Sequence, residues 1–334
     1  MKFPDLDNHP YIQEVQSLNK KFPVRMEFHK AMEPLLLKMG KDKDFLKTVL
    51  KRNFTDEGYL GFEYSLYNVP FLYVHETDDY NLKIHMFPPH PDKKDGIAAH
   101  CIHHHNNYIL TTNAMHGSGY ESILFEKNAP VDQETGIANL KINKHFHQKD
   151  WNPSRIESWE PHIVFIPDEL SSTLLIWTPD KIRATDKLRN NPVIKPFKKI
   201  LAKTINALGL ASNFGIAEGG KKFQFYVKDD TFIGIEEDDY FAPTRAAKGR
   251  KVNEFSMQQV FAVIQRMGLV DKEFFKELKN NSKTPEYYHQ YIDMLLNDRV
   301  IPDVSHPTEI NIPNRSYTRE DIFSADKKQV LAGN

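Results

Sequence analysis

Apolar side chains recur at intervals of three and four along the first sixty residues, as Met32, Leu35, Leu36 and Met39 and then Phe45, Leu46, Val49 and Leu50. This spacing predicts a helical N-terminal cap over residues 1–60. From Gly61 to about Pro179 the rhythm changes to short runs of aromatic and β-branched residues, interrupted by Pro, Gly, Asn and Asp. Such runs suit antiparallel strands, whose side chains alternate between two faces. The expected strands are Phe62–Tyr67, Val69–His75, Asn81–Phe87, Asn107–Met115, Glu121–Glu126, Asn139–His147, His162–Ile166 and Thr173–Thr178.

Helical spacing returns in Val193–Leu208, gives way to strand-like Lys222–Val227 and Thr231–Ile235, and resumes in Met257–Met267, Lys272–Leu278 and Pro285–Leu296. Residues 301–334, rich in Pro, Asn and Asp, read as an extended arm, and the charged stretches Glu236–Asp239 and Lys248–Lys251 as solvated loops, with a lid over the site as the alternative. The whole predicts an α+β protein. A helical cap (1–60) precedes a jelly-roll domain (61–180), a mostly helical region with a short strand pair (181–300) and the arm (301–334). Several short strands joined by turns such as His116-Gly117-Ser118-Gly119 suit a double-sheet jelly roll, whose mouth commonly holds a small site.

Composition narrows the function. The 334 residues are 40% hydrophobic, enough for a sizeable core. The 44 basic and 45 acidic residues form no long single-sign block, so the basic footprint of a nucleic-acid binder is missing. No run approaches the about 18 apolar residues of a membrane span, and no segment has the basic start and apolar stretch of a secretory signal. A cytoplasmic protein with a small-molecule partner is expected, without nucleic-acid or membrane partners; a homodimer is compatible with this. The single cysteine, Cys101, excludes an intrachain disulfide framework and any multi-cysteine zinc site, which leaves nitrogen and oxygen as metal ligands.

Eight of the 15 histidines lie between residues 100 and 162, four of them in "AHCIHHHNNYIL" at 99–110. If a strand begins near residue 102, His103 and His105 project to one face and His104 to the other, so the first two can share an ion. His100 lies outside this pair. The same parity sets His145 beside His147 on a second strand face. A third ligand is expected from a later strand, where His162 opens "HIVFIPDELSSTLLIWTP".

"HHHNNYILTTNAMHGSGYESILFE" resembles the first metal motif of the cupin superfamily, and in particular the His-x-His strand, turn and strand of cysteine dioxygenase-like enzymes. "PHIVFIPDELSSTLLIWTP" is similar to their second motif. The resemblance covers roughly residues 80–180. It implies a double-stranded β-helix, the jelly-roll cupin core, and a three-histidine non-haem iron(II) site at His103, His105 and His162. The acidic residue that many cupins add after the His-x-His is absent from Asn106–Thr111, which favours three histidines. Two positions depart from the thiol dioxygenases. Cys101 precedes the motif instead of following it, and Trp177 stands near the place of their crosslinked tyrosine.

The expected activity is that of an iron(II)-dependent dioxygenase-like oxygenase using O2 on a small polar metabolite: a thiol, an amine or an amino-acid-like compound. Imidazoles also suit copper, nickel and catalytic zinc. Glu121 and Glu160 are candidates to accept the free ring N–H groups of the ligands, Tyr108 and Tyr120 to donate to the reacting oxygen, and Arg155 or Arg183 to pair with a substrate carboxylate. An alternative is a 2-oxoglutarate oxygenase using His90, Asp92 and His145, with Arg155 gripping the cosubstrate. Another is a non-catalytic cupin that binds a small molecule or a partner protein.

Overall fold

The structure is a computed structural model that describes residues 4–56, 59, 70–89, 102–105, 107–127, 130–132, 134–165, 167–180, 223–236, 253–303 and 318–332. The helical cap comprises α1 (Pro10–Lys21), α2 (Arg25–Lys41) and α3 (Lys43–Phe54). Asp42 stops one helix and starts the next, its carboxylate accepting the amides of Asp44 and Phe45 at the start of α3. The apolar stripe Met32, Leu35, Leu36 and Met39 of α2 is buried, as its spacing predicts.

The strands are β1 (Phe71–Glu76), β2 (Asn81–Phe87), β3 (Tyr108–His116), β4 (Glu121–Phe125), β5 (Ile137–Ala138), β6 (Ile142–His147), β7 (Ser154–Ile156), β8 (His162–Phe165), β9 (Ser171–Pro179), β10 (Phe223–Lys228) and β11 (Thr231–Glu236). A five-stranded sheet runs in the order β1-β2-β9-β3-β7, and a three-stranded sheet in the order β6-β4-β8. The chain crosses between them at β3–β4, β6–β7, β7–β8 and β8–β9. The first crossing uses the turn at Gly117 and Gly119, both at positive φ (70° and 68°), where glycine carries no side-chain penalty. Leu110, Ile156 and Leu175 of the larger sheet meet Leu124 and Phe146 of the smaller one in a single cluster. Two antiparallel sheets exchanging successive strands around a shared interior form a double-stranded β-helix.

Register separates the two faces of the larger sheet. Leu82, Ile84 and Met86 of β2, with Leu174 and Ile176 of β9, face the helices and join their core. Asn81, Lys83 and His85, opposite Trp177, Leu175 and Thr173, face the barrel interior. On the helix side His29 of α2 is fully buried between Thr111 and Thr178, its ring nitrogens 2.7 and 2.8 Å from their hydroxyls. This joins α2 to β3 and β9.

The C-terminal region holds the expected strand pair and departs from expectation in its last residues. β10 and β11 pair antiparallel, β11 pairs in addition with β5, and Phe225 and Phe232 pack with Ile123, Phe125, Ile163 and Phe165 on the outer face of the smaller sheet. Residues 301–334 are not an extended arm throughout, because Arg319–Ala332 form a helix. Its start is fixed by a reciprocal cap, with the Thr318 amide donating to Asp321 and the Asp321 amide to the Thr318 hydroxyl. Ile322 and Ala325 are buried against the sheet. In chain order the C-terminal helices are α4 (Asn253–Arg266), α5 (Lys272–Asn280), α6 (His289–Leu296) and α7 (Arg319–Ala332), with a 3-10 turn at Glu286–Tyr288 before α6. The expected strand Phe62–Tyr67 and helix Val193–Leu208, like both charged loops apart from Glu236, lie outside the described residues. No described helix is long and apolar enough to cross a membrane.

Burial pushes His29 down to about 3, with Arg155 and Arg25 adding repulsion. The folded state therefore refuses a proton that the unfolded chain accepts near its ordinary value of about 6.5. Stability from this residue is complete above that value and is lost as pH falls from 6.5 toward 3, at up to about 1.4 kcal/mol per pH unit. Urea midpoints at pH 7 and pH 5 are expected to drop more in the parent than in His29→Gln, which has no proton to take up. An equal drop in both would exclude His29 as the acid-sensitive rivet.

Candidate metal centre

His103 and His162 sit opposite each other in an isolated antiparallel bridge. The His103 amide donates to the His162 carbonyl at 3.0 Å, and the His162 amide to the His103 carbonyl at 2.8 Å. His162 also opens β8, where it pairs with Leu124 of β4. Between His103 and β3 the chain turns, the Tyr108 amide donating to the His105 carbonyl at 3.1 Å. His103 and His105 therefore stand just before β3 and not within it, but the expected parity holds. Both rings turn toward His162, at centroid distances of 4.5 Å from His103 and 4.3 Å from His105. His104 turns instead to Trp159, 5.2 Å away.

One ligand atom from each of His103, His105 and His162 lies within 4.8 Å of the others. The Nε2 atoms of His105 and His162 are 3.1 Å apart. His162 Nδ1 lies 3.0 Å from the Glu160 backbone carbonyl. A carbonyl only accepts, so Nδ1 carries a proton, and a metal approaching His162 would meet its Nε2. Burial, reinforced by the neighbouring imidazoles of His162, His103, His104 and His85, holds His105 well below the ordinary histidine range. His105 is therefore neutral and able to ligate. Two nitrogens at about 2.1 Å from one ion and at right angles to it stand about 3.0 Å apart, close to the separation seen. The donor set fits a divalent metal.

Trp177 of β9 forms the adjacent wall, its ring 4.3 Å from that of His105, with exposed Tyr108 at the rim 6.5 Å from Trp177. Tyr120 is buried against Phe87, and burial pushes its hydroxyl up to about 12 despite hydrogen bonds to Thr112 and Ser154.

Other expected site residues lie elsewhere. Arg155 faces the cap, because β7 pairs it with outward-facing Thr111, and it forms an ion pair with Glu33 of α2 at 2.5 Å. Glu121 is on the outer face of the smaller sheet, 2.5 Å from His145 Nε2 and 3.5 Å from Arg319. His145 packs there on Phe323 of α7, and His147 Nδ1 accepts the Lys149 amide, so neither joins the inner group. The Glu160 carboxylate accepts the Glu157 amide, and the backbone carbonyl of the same residue orients His162. Sequence carries no signal for a backbone acceptor. His90, Asp92, His100, Cys101 and Arg183 lie outside the described residues.

No family model and no curated protein matches the chain. Solved structures do. The chain is similar to TT1209 from Thermus thermophilus, with 12% identity over 33% of this chain and 83% of that one and a TM-score of 0.22. It is also similar to Rru_A2000 from Rhodospirillum rubrum, a cupin-2 domain, with 15% identity over 39% and 77% of the two chains and a TM-score of 0.21. The oxalate decarboxylase of Lactobacillus farciminis, in its formate complex, matches at 15% identity over 38% of this chain and 36% of its own, with a TM-score of 0.21. The fold itself is read from strand order and register.

If Glu160 serves His162 through its carbonyl, the carboxylate is dispensable to the metal centre. Glu160→Gln is expected to bind added metal with the affinity of the parent in a calorimetric titration, whereas a loss of tenfold or more would assign the carboxylate a direct part.

Proposed function

We propose that the chain is an iron(II)-dependent oxygenase, with His103, His105 and His162 as the metal ligands, O2 as cosubstrate and a small polar metabolite as substrate. The observation that supports this best is the pair of inward-facing Nε2 atoms of His105 and His162, 3.1 Å apart, with the tautomer of His162 set by the Glu160 carbonyl. When bound, iron(II) supplies a centre at which O2 and substrate meet in open coordination positions.

The protein's own tasks follow from the residues around that centre. The Glu160 carbonyl holds the His162 ring in one orientation, so that the ligand needs little rearrangement when metal arrives. Burial keeps His105 neutral, which removes competition by protons. Leu110, Leu124, Phe146, Ile156 and Leu175, with Trp177 packed against them, make an apolar lining that excludes water from the reacting groups. The motif resemblance favours iron over zinc. The displaced Cys101 and the tryptophan at 177 keep thiols, amines and amino-acid-like compounds together as the substrate class.

Protein purified without oxygen and loaded with iron(II) is expected to retain about one iron per chain by elemental analysis. His103→Ala, His105→Ala and His162→Ala are expected to fall well below this. Stoichiometric iron in all three variants would overturn the ligand set. Oxygen uptake with thiol, amine and amino-acid panels is expected to need no 2-oxoglutarate; uptake dependent on it would favour the alternative cosubstrate.

A further inference from the structure

Ile102 and His103 form a short extended segment held along both edges. The Ile102 amide donates to the Phe225 carbonyl at 3.2 Å and the Phe225 amide to the Ile102 carbonyl at 2.8 Å, while His103 exchanges both of its backbone bonds with His162 of β8. Successive residues of an extended chain turn their N–H and C=O groups to opposite edges, so the segment lies between β8 and β10. Its side chains divide in the same way. His103 turns to His105 and His162, and Ile102 is fully buried in the outer cluster with Phe225, Phe232, Ile322 and Ala325.

The far edge of the ligand segment is thus supplied by the C-terminal part of the chain, and α7 fastens that part to the smaller sheet. Gln329 donates to the Ala138 carbonyl of β5 at 2.7 Å, and Lys328 to the Asp229 carbonyl in the turn between β10 and β11 at 2.9 Å. Asp326 accepts the Ile142 amide of β6 at 2.9 Å. Loosening α7 or β10 would free the backbone of Ile102, one residue from a metal ligand.

We propose that β10, β11 and α7 set the affinity of the metal centre, with Ile102 as the positioning residue through which they act. This rests on the metal-centre reading and adds to it control from a region that contributes none of the three proposed ligands. With the clamp closed, His103 already stands in the register that meets His105 and His162. With the clamp loosened, ordering the segment opposes binding and affinity falls. The coupling is reciprocal, so bound metal tightens the clamp.

Iron(II) is titrated anaerobically into the full chain by calorimetry, and backbone hydrogen exchange is followed with and without the metal. The metal is expected to slow exchange at the Ile102 and Phe225 amides and along α7, all outside the ligand residues. Ile102→Ala and Ile322→Ala are expected to weaken iron(II) binding about tenfold or more, with Ile102→Val close to the parent. Two results overturn the clamp: protection that stops at the ligand residues, or parental iron affinity in either alanine variant even where its thermal midpoint falls. If an alanine variant fails to fold, the exchange pattern of the parent decides. If the parent binds no iron, the metal reading fails instead, and exchange in the metal-free chain is compared. A rise at the His103 amide of Ile322→Ala relative to the amides of β2 upholds the clamp, and no such rise refutes it.

Discussion

The two backbone hydrogen bonds between His103 and His162 are the constraint on which the site depends. They pair a short segment that belongs to no regular strand with the first residue of β8. Each bond contributes only about 1 kcal/mol, but together they bring residues 59 positions apart into one register. Once His162 is paired with both His103 and Leu124, its ring has the barrel interior before it and the Glu160 carbonyl behind it. His105, two residues on, then turns to the same side. The metal centre follows from strand pairing at the mouth of the barrel more than from histidine content.

The same molecule uses buried and half-buried histidines in three ways, and the partner decides which. His29 meets two threonine hydroxyls, satisfies both nitrogens and acts as a neutral rivet. His75 donates to Asp7 from Nε2 and has Nδ1 2.9 Å from the Tyr80 hydroxyl, which ties the N-terminal 3-10 turn to β1. His105 has a buried Nδ1 with no hydrogen-bond partner among the described residues and an Nε2 directed at His162, an arrangement with little structural benefit of its own. Of the three, His105 is the one whose cost calls for a ligand.

Much of this was legible in the sequence, for identifiable reasons. Short aromatic and β-branched runs bounded by Pro, Gly, Asn and Asp located β2 at its observed limits and β3, β4, β8 and β9 to within a residue or two; this punctuation marks them even though β4 and most of β9 are buried on both faces. Parity separated His103 and His105 from His104 even though the strand begins later than expected. β7, three residues long, is too short to show a pattern. The α7 helix hid behind a Pro- and Asn-rich approach, although Thr318-Arg319-Glu320-Asp321 carries the capping signature. Arg155 was misassigned because its partner, Glu33, is 122 residues away in the cap.

X-ray absorption spectroscopy of the iron(II)-loaded protein tests the central claim most directly, because it counts the imidazoles bound to the metal without reference to activity. The account predicts the scattering of three imidazoles in the parent and two in His162→Ala, with Glu160→Gln indistinguishable from the parent. A parent spectrum with fewer than three imidazoles, or one that His162→Ala leaves unchanged, would contradict it.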